Sequence, residues 1–407
     1  MSTPQTPSIQ TPAPQPGATP PALNFVNVLQ RMLSVSDKVS DLIFSPGRPP
    51  QVELVGKLQP VPIPGLEKLL PPHTLSIAKM IMGNHQVAAD NLEKFGSADL
   101  SFSAPGLSRF RVNIFMQRGT HAIVMRVIPQ RPPQWSDYSL PEVLREIVNI
   151  KNGLVLVTGP TGSGKSSTLA AVIDLINESK AYHIITIEDP IEFLHMHKNS
   201  TIHQRELHSD TPSFALALRA ALRQAPKVIL VGEMRDRETI EVALEAAETG
   251  HLVLSTLHTI DASKTIDRII GVFPKNEEQA IRTRLAQTFR FIVSQRLLPR
   301  GDGGGRVAAI EILKSTARTR EYMERGESEG RSLTDAMDQG DFDGMQTFDG
   351  VIEKMIRSGI VNRDEGLAYS SNPGNLLLRL TDMGSGPGQM RADSNPGEGG
   401  SMLDMIE

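Results

Sequence analysis

The 407-residue sequence contains no cysteine, which excludes disulfide bonds and thiolate metal sites. No run of about 18 apolar residues occurs, so we expect no bilayer-spanning helix. Aromatic residues make up 4% and the net charge is −4, which argues against a basic, aromatic-lined groove for nucleic acid. The N-terminus lacks the charged start and apolar core of a signal peptide. We therefore expect a soluble, cytoplasmic protein.

The chain is longer than the roughly 250–300 residues at which one core stops growing, so two domains are expected. Residues 1–22 are rich in proline and carry no charged side chain, which predicts a disordered tail. Residues 23–128 predict a small α+β domain, and the proline-rich segment 129–139 predicts an extended linker. Residues 140–384 predict an α/β domain with C-terminal helices, followed by a disordered tail at 385–407.

In the first domain, residues 23–36 predict a helix, and a second helix is expected around 75–82. Alternating apolar and polar residues in 109–115 and 122–128 predict half-buried strands. The candidate buried face of the first helix consists of Leu23, Phe25, Val26, Val28, Leu29, Met32 and Leu33.

The second domain alternates strands with helices, a pattern typical of a parallel α/β sheet. The predicted strands are 154–158, 183–188, 228–232, 252–256 and 306–313. Helices are expected to start at Ser166 and near Pro212, Arg237 and Asp261. After Lys314 the chain is expected to be helical.

The strongest single motif is the segment LVLVTGPTGSGKSST at 154–168, which satisfies the P-loop pattern G-x4-G-K-[ST]. Glycine conformations let successive N–H groups converge on an anion at the start of the following helix. Lys165 would reach the β- and γ-phosphates, and Ser166 would hold Mg²⁺. The alternative, a glycine-rich turn that binds nothing, is disfavoured because strand, loop and helix all agree. The predicted phosphate-binding residues are Gly159, Pro160, Thr161, Gly162, Ser163, Gly164, Lys165, Ser166 and Ser167.

Acidic residues follow two more predicted strands, at the edge where parallel sheets carry their ligand sites. Glu188 and Asp189 would orient Mg²⁺ through water or polarise an attacking water. The alternative is that they only cap a helix or are solvated acids before Pro190. Glu233 would support the metal or align the attacking water, and Gly232 would leave room for the nucleotide. The alternative for Glu233 is a structural salt bridge to Arg235 or Arg237.

Two histidines flank the predicted strand 252–256. His251 and His258 are seven residues apart, which is roughly 20–24 Å of extended chain, so both cannot contact one phosphate. One of them would sense the γ-phosphate, while the other would be structural or lie at a subunit boundary.

Four arginines, Arg109, Arg111, Arg118 and Arg126, fall in the predicted strands of the first domain. Strand alternation places Arg109 and Arg111 on one face. An arginine that neutralises transition-state charge accelerates phosphoryl transfer by roughly 10³–10⁵. A domain outside the sheet, or a neighbouring subunit, would supply it. The alternative is a solvated or RNA-binding basic strand.

Together these segments resemble the secretion ATPases of type IV pili and type II secretion. GPTGSGKSST resembles their Walker A loop, ITIEDPIEF the Asp box, VILVGEMRD the Walker B box and ETGHLVLSTLHT the His box. GMQTFDGVIEKMIRSGI and SNPGNLLLRL resemble the pilus-retraction branch that comprises PilT and PilU. The resemblance extends over roughly residues 27–381.

The resemblance implies a RecA-like P-loop NTPase core, an N-terminal PAS-like domain and a cytoplasmic hexamer with ATP and Mg²⁺ between subunits. It implies that Lys165 and Ser166 contact phosphate and Mg²⁺, and that Glu233 is the catalytic glutamate. Glu188, Asp189, His251 and His258 belong to its Asp and His boxes, and N-terminal arginines complete the site. The implied partner is the inner-membrane pilus platform protein, with peripheral attachment to that membrane and no nucleic acid.

Several positions depart from the family pattern. The family's SDLH is Ser40-Asp41-Leu42-Ile43, and the acidic DPD before the Walker B box is Ala225-Pro226-Lys227. The His box continues Thr259-Ile260-Asp261 where Asn commonly follows the Thr, and ARTREYMERGE replaces the retraction motif AIRNLIRE at 317–327. The last change favours an accessory, PilU-like ATPase that acts with a paralogous motor.

The leading hypothesis is thus a hexameric ATPase that retracts type IV pili in twitching motility. The alternatives are a weakly hydrolysing, nucleotide-dependent scaffold, an extension or type II secretion ATPase, and a RecA-like nucleic-acid motor. Extension ATPases commonly carry a four-cysteine zinc site that this chain cannot build.

Overall fold

The computed structural model describes residues 24–129 and 131–382, which form two compact units. The first unit ends at Arg131 and also includes Glu192–Leu194. The second begins at Pro132 and contains the rest of the described chain. The tails expected at 1–22 and 385–407 lie outside the described residues.

The first unit is an α+β domain built on a six-stranded antiparallel sheet in the order β3-β2-β1-β6-β5-β4. Its strands are β1 (Val39–Phe44), β2 (Gln51–Leu54), β3 (Lys57–Pro60), β4 (Ser97–Ala104), β5 (Ser108–Gln117) and β6 (Thr120–Ile128). Its helices are α1 (Phe25–Leu33), α2 (Pro71–Met82) and α3 (Gln86–Phe95). The PAS-like assignment of this unit stays a prediction.

Helix α1 begins where the side chain of Asn24 accepts a hydrogen bond from the N–H of Asn27. It buries Phe25, Val28, Leu29 and Met32, as expected from their spacing. The prediction for Val26 is wrong, because its side chain is 44% exposed. Leu23 lies outside the described residues.

The second unit contains a seven-stranded sheet in the order β13-β12-β7-β11-β10-β8-β9. Its strands are β7 (Gly153–Thr158), β8 (His183–Glu188), β9 (Thr201–Glu206), β10 (Val228–Val231), β11 (Leu252–Leu257), β12 (Phe289–Pro299) and β13 (Arg306–Lys314). Its helices are α4 (Lys165–Ser179), α5 (Phe214–Ala221), α6 (Arg237–Glu248), α7 (Ala262–Ile270), α8 (Glu278–Thr288), α9 (Ala317–Arg325), α10 (Leu333–Asp338), α11 (Phe348–Arg357), α12 (Arg363–Tyr369) and α13 (Pro373–Asp382).

Helices cover both faces of this sheet, so its central strands β7, β10 and β11 are buried on both faces. All six residues of β7 are buried. Leu154 and Leu156 pack on the face covered by α6, α7 and α8, whereas Val155 and Val157 pack against α4. The period of two places alternate residues in the two halves of the core. The unit is therefore the α/β, RecA-like sandwich expected from the sequence.

The expectation of a wholly parallel sheet is wrong, because β13 pairs antiparallel with β12. A hairpin forms there, since a short turn joins the two strands without a crossover helix. Strands β9 and β12 and helix α3 were not predicted. The linker 129–139 is not extended throughout, because Trp135–Asp137 forms a 3₁₀ turn. Trp135 is buried in the core of the second unit, with the Arg145 guanidinium 4.8 Å from its ring centroid.

Within 24–129 and 131–382, no helix is both long and apolar enough to cross a bilayer.

Candidate nucleotide-binding and hydrolysis site

The P-loop joins the carboxyl end of β7 to the start of α4, in the middle of the seven-stranded sheet. Strand β7 lies between β11 and β12 and is parallel to both. Its neighbours therefore end at the same edge of the sheet, where crevices of open α/β sheets bind ligands.

The loop backbone takes conformations that favour glycine at its two ends. Gly159 has φ +144°, and a Cβ there would lie 2.4 Å from the carbonyl oxygen of Gln295. Gly164 has φ +91° and precedes α4, whose first turn has no side-chain cap. The uncapped N–H groups give this end of α4 the donors and partial positive charge that bind phosphate. Ser163 Oγ is also buried without a hydrogen-bond partner.

Lys165 lies over the loop and is only 7% exposed. Its Nζ donates to the carbonyl oxygens of Gly159 at 2.9 Å and Pro160 at 3.0 Å, and lies 3.5 Å from His258 Nδ1. Burial lowers the pKa of Lys165, and the charge of Glu233 acts in the opposite direction. A buried cation next to uncapped N–H groups would be stabilised by a bound anion such as phosphate.

Glu233 and His258 approach the loop from two neighbouring strands. Glu233 follows β10, and His258 directly follows β11. His258 Nε2 lies 3.6 Å from Glu233 Oε2. Glu233 also accepts a hydrogen bond from Arg235 Nε, and this contact raises the pKa of Arg235. The salt bridge considered as an alternative thus forms, but Arg235 is 74% exposed, so the pair contributes little stability.

A cavity of about 490 Å³ opens beside these groups. It is large enough for part of a small polar ligand. Its lining residues are Thr161, Glu233, Met234, Arg235, Leu257, His258, Thr259 and Arg268.

The Asp-box residues lie at the end of β8. Glu188 Oε1 accepts hydrogen bonds from Thr186 Oγ1 at 2.6 Å and Gln204 Nε2 at 3.2 Å. Asp189 is exposed and contributes, by its charge, to the raised pKa of Arg235. The two carboxylates therefore occupy different surroundings at the same edge.

Gly232 is needed for a different reason from the one expected. A Cβ at this position would lie 3.2 Å from Ile187 O and 3.3 Å from Glu188 Cα. Its N–H also donates to Ile187 O at 2.7 Å. The missing side chain therefore allows the ends of β10 and β8 to approach, and does not face the cavity.

His251 lies before the first residue of β11, at the opposite end of that strand from His258. Its Nδ1 is 3.0 Å from the carbonyl oxygen of Ala246, near the C-terminus of α6. Six strand residues span roughly 20 Å, so the structure does not bring His251 to the phosphate loop of its own chain.

The four arginines lie on β5, β6 and the turn between them, in the first unit. Arg126 Nε pairs with Asp41 Oδ1 at 3.1 Å, and Arg126 stands opposite Arg111 across the two strands. Arg111 lies 3.9 Å from Glu192 of the same unit. Arg118 occupies the turn with φ +49°. Their role at a phosphate stays a prediction.

Arg109 is the fourth of these arginines, and its guanidinium donates to Ser103 Oγ at 3.1 Å.

Thr186 and Gln204 are supporting groups that were not predicted. Both depend on the register of β8 and β9, in which Thr186 lies opposite Gln204. That register is not visible in the sequence, because β9 is a polar edge strand without a clear apolar pattern.

The residues present fit a nucleotide phosphate with Mg²⁺. Lys165 and the start of α4 supply positive charge, Ser163 supplies an unpartnered hydroxyl, and Ser166 is exposed on the first turn. Carboxylate and hydroxyl oxygens are the ligands that Mg²⁺ prefers, usually together with water.

Comparison with known proteins agrees with this chemistry. A family model described as Type II/IV secretion system protein matches residues 80–339. The chain is 42% identical over 343 residues to a Pseudomonas aeruginosa protein named type IV pilus retractation ATPase PilT, covering 84% of this chain and 97% of that protein. It is 38% identical to the type IV pilus ATPase PilU of the same organism, covering 88% and 91%.

A crystal structure of the pilus retraction motor PilT with bound ADP has the same fold. It superposes with a TM-score of 0.78 at 41% identity, covering 88% of this chain and 99% of that one.

Proposed function

The chain belongs to the type II/IV secretion system protein family, and from that membership and its site we propose that it is a motor that retracts type IV pili. The chain is an ATPase of this family. One observation supports the assignment to particular residues: His258 lies 3.5 Å from Lys165 Nζ at the start of α4 and 3.6 Å from Glu233 Oε2, and His258 and Glu233 both line the cavity.

We assign the P-loop to the ATP phosphates. Lys165 would exchange its carbonyl partners for the β- and γ-phosphates, which would compensate the cost of its burial. The N–H groups at the start of α4 would hold the same phosphates. Mg²⁺, held by Ser166 and by waters near Glu188 and Asp189, would supply neutralising charge when bound.

We assign hydrolysis to Glu233. Its carboxylate borders the cavity and is within reach of His258, so it would align the attacking water and accept its proton. His258, close to both Lys165 and Glu233, would respond to the presence of the γ-phosphate. Arg111, Arg118 or Arg126 would stabilise the transition state from the first unit of the same or a neighbouring subunit.

We further propose a homohexamer at the cytoplasmic face of the inner membrane. Its partner would be the pilus platform protein, and a paralogous retraction ATPase would act beside it. Support comes from the relatives, which are ATPases of pilus systems, and from 97% coverage of the PilT sequence. Near-neutral composition gives no support to a nucleic-acid partner.

An accessory role is the second candidate, and a specific segment favours it. Helix α9 (Ala317–Arg325) carries the ARTREYMER sequence in place of the family's retraction motif. Both sequences contain arginines, but the Ile and Leu residues of the replaced motif are absent from this helix. A motor with this change would hydrolyse ATP but depend on its paralogue for retraction.

The test is a clean deletion of the gene in its own organism, scored for surface pili and twitching. Retraction predicts excess pili without twitching, restored by the wild-type gene but not by Glu233→Gln. An accessory role predicts weaker loss of twitching that becomes complete when the paralogue is also impaired. Loss of all pili would contradict both and indicate extension.

A further inference from the structure

We propose that Gln204 is a positioning residue for Glu188, and that it holds this carboxylate in one orientation at the end of β8. The proposal rests on the ATPase function assigned above. Gln204 lies on edge strand β9, opposite Thr186 in the parallel pairing of β8 and β9.

Glu188 is held from two strands at a single oxygen. Gln204 Nε2 donates to Glu188 Oε1 at 3.2 Å, and Thr186 Oγ1 donates to the same atom at 2.6 Å. Two donors on one carboxylate oxygen restrict the rotation of the carboxylate. Glu188 is thereby kept as an oriented acceptor at the edge that carries the P-loop.

The orientation of the Gln204 amide follows from its other end. The N–H of His195 donates to Gln204 Oε1 at 2.8 Å. A backbone N–H is only a donor, so the amide oxygen must face His195 and the amide NH₂ must face Glu188. A flipped amide would place two donors together at one end and two acceptors together at the other, losing both hydrogen bonds.

This arrangement explains why an amide, rather than an acid, is required at position 204. A carboxylate there would place an acceptor and a negative charge against Glu188 Oε1. The repulsion would turn Glu188 away or force the pair to share a proton. An apolar side chain would remove the donor without adding charge.

A purely structural role predicts something different. Gln204 also ties the edge strand to β8, so its loss would loosen β9 without acting through Glu188. A double-mutant cycle separates the two roles, because residues that act through one another give non-additive effects.

The experiment measures ATP turnover by purified full-length protein for Gln204→Leu, Glu188→Gln and the double variant. Gln204→Leu should lower turnover about tenfold, the effect expected of one hydrogen bond to a charged group. The double variant should be no worse than Glu188→Gln alone. His203→Gln, the preceding residue of β9 on the other face of the strand, is the matched control and should retain turnover.

A second variant gives an independent reading through charge. Gln204→Glu should lose more turnover than Gln204→Leu at pH 8, because it places a carboxylate rather than a donor against Glu188 Oε1.

Additive losses in the cycle, or turnover of Gln204→Glu equal to wild type at pH 8, would overturn the proposal while leaving the ATPase assignment intact. Wild-type turnover no higher than that of Lys165→Ala would instead overturn the ATPase assignment, and this proposal with it.

Discussion

At the scale of single residues, the phosphate site depends on backbone that only glycine adopts readily. Gly159 has φ +144°. A Cβ added there would lie 2.4 Å from the backbone carbonyl oxygen of Gln295, which cannot move without distorting β12. We expect Gly159→Ala to weaken binding of an ATP analogue at least tenfold, and to lower the melting temperature. Titration with a fluorescent analogue and a thermal melt measure the two effects.

Gly162→Ala is the matched control for this change. Gly162 also has a positive φ, +79°, but no atom lies within 4 Å of its ideal Cβ. It should show only backbone strain of about 1–3 kcal/mol and keep more of its nucleotide affinity. Equal losses in the two variants would show that crowding at Gly159 does not matter.

The two histidines of the His box should differ in function because they lie at opposite ends of β11. His258 is 3.5 Å from Lys165 Nζ and 3.6 Å from Glu233 Oε2, whereas His251 is 3.0 Å from a helix carbonyl. We expect His258→Ala to reduce turnover by roughly 10²-fold or more. His251→Ala should change turnover less than about threefold while lowering thermal stability. The assignment fails if His251→Ala loses as much turnover as His258→Ala.

The sequence identified the site residues that belong to recognisable motifs. The structure adds residues whose role depends on how two strands pair. Lys165, Glu233 and His258 stand in segments that have recognisable chemistry. Gln204 stands in an ordinary polar stretch, and only the pairing of β8 with β9 brings it to Glu188. A role that arises from strand register cannot be read from a local pattern.

At the scale of secondary-structure elements, buried Glu311 connects β13 to the start of α7. Its Oε1 accepts a hydrogen bond from the N–H of Ala262 at 2.9 Å, and the residue is 5% exposed. Burial raises the pKa of Glu311 to about 7, against the opposing effect of the Ala262 hydrogen bond. The helix that follows the His box is thus anchored by a titrating group.

This raised pKa predicts a pH dependence of stability. Well below pH 4.5 the carboxyl is protonated in both states, so the raised pKa does not lower stability. Between 4.5 and about 7 the folded state keeps a proton that the unfolded state has lost, so stability falls as pH rises. The full cost, about 3 kcal/mol, applies above pH 7.

Glu311→Gln removes this titration. We expect the difference in melting temperature, Glu311→Gln minus wild type, to be larger at pH 8 than at pH 5. Thermal scans at constant ionic strength measure it. Exposed Glu329→Gln serves as the control and should leave the difference constant. A Glu311→Gln difference that is the same at both pH values would contradict the buried-acid interpretation.

The elements themselves were predictable where both faces of a strand are buried. Strands β7, β8, β10 and β11 are short, mostly apolar segments with buried central residues, and each was expected within one or two residues. Strand β12 directly follows α8, so its residues could be read as part of a helical stretch. The direction of β13 depends on a hairpin rather than on composition, which is why a parallel strand was expected.

At the scale of the whole molecule, the candidate arginines and the P-loop belong to different units of the chain. If a neighbouring subunit of a closed ring supplies the arginine, an active site contains groups from two chains. Co-assembly of two inactive variants, each lacking a different group, then distinguishes this arrangement from a site contained in one chain.

We expect Arg111→Ala and Glu233→Gln each to be inactive alone and to regain activity when co-assembled. In a random one-to-one mixture, about a quarter of the shared sites would have both intact groups. Turnover measured after co-expression, against each variant alone, reports the recovery. No recovery in verified mixed hexamers would contradict a site shared between subunits through Arg111.

The central claim is that the protein hydrolyses ATP at this site. The most direct test measures nucleotide binding and ATP turnover by purified wild-type, Lys165→Ala and Glu233→Gln proteins. The geometry predicts turnover in wild type, no nucleotide binding in Lys165→Ala, and retained binding without turnover in Glu233→Gln. Normal hydrolysis by Glu233→Gln would contradict the catalytic assignment.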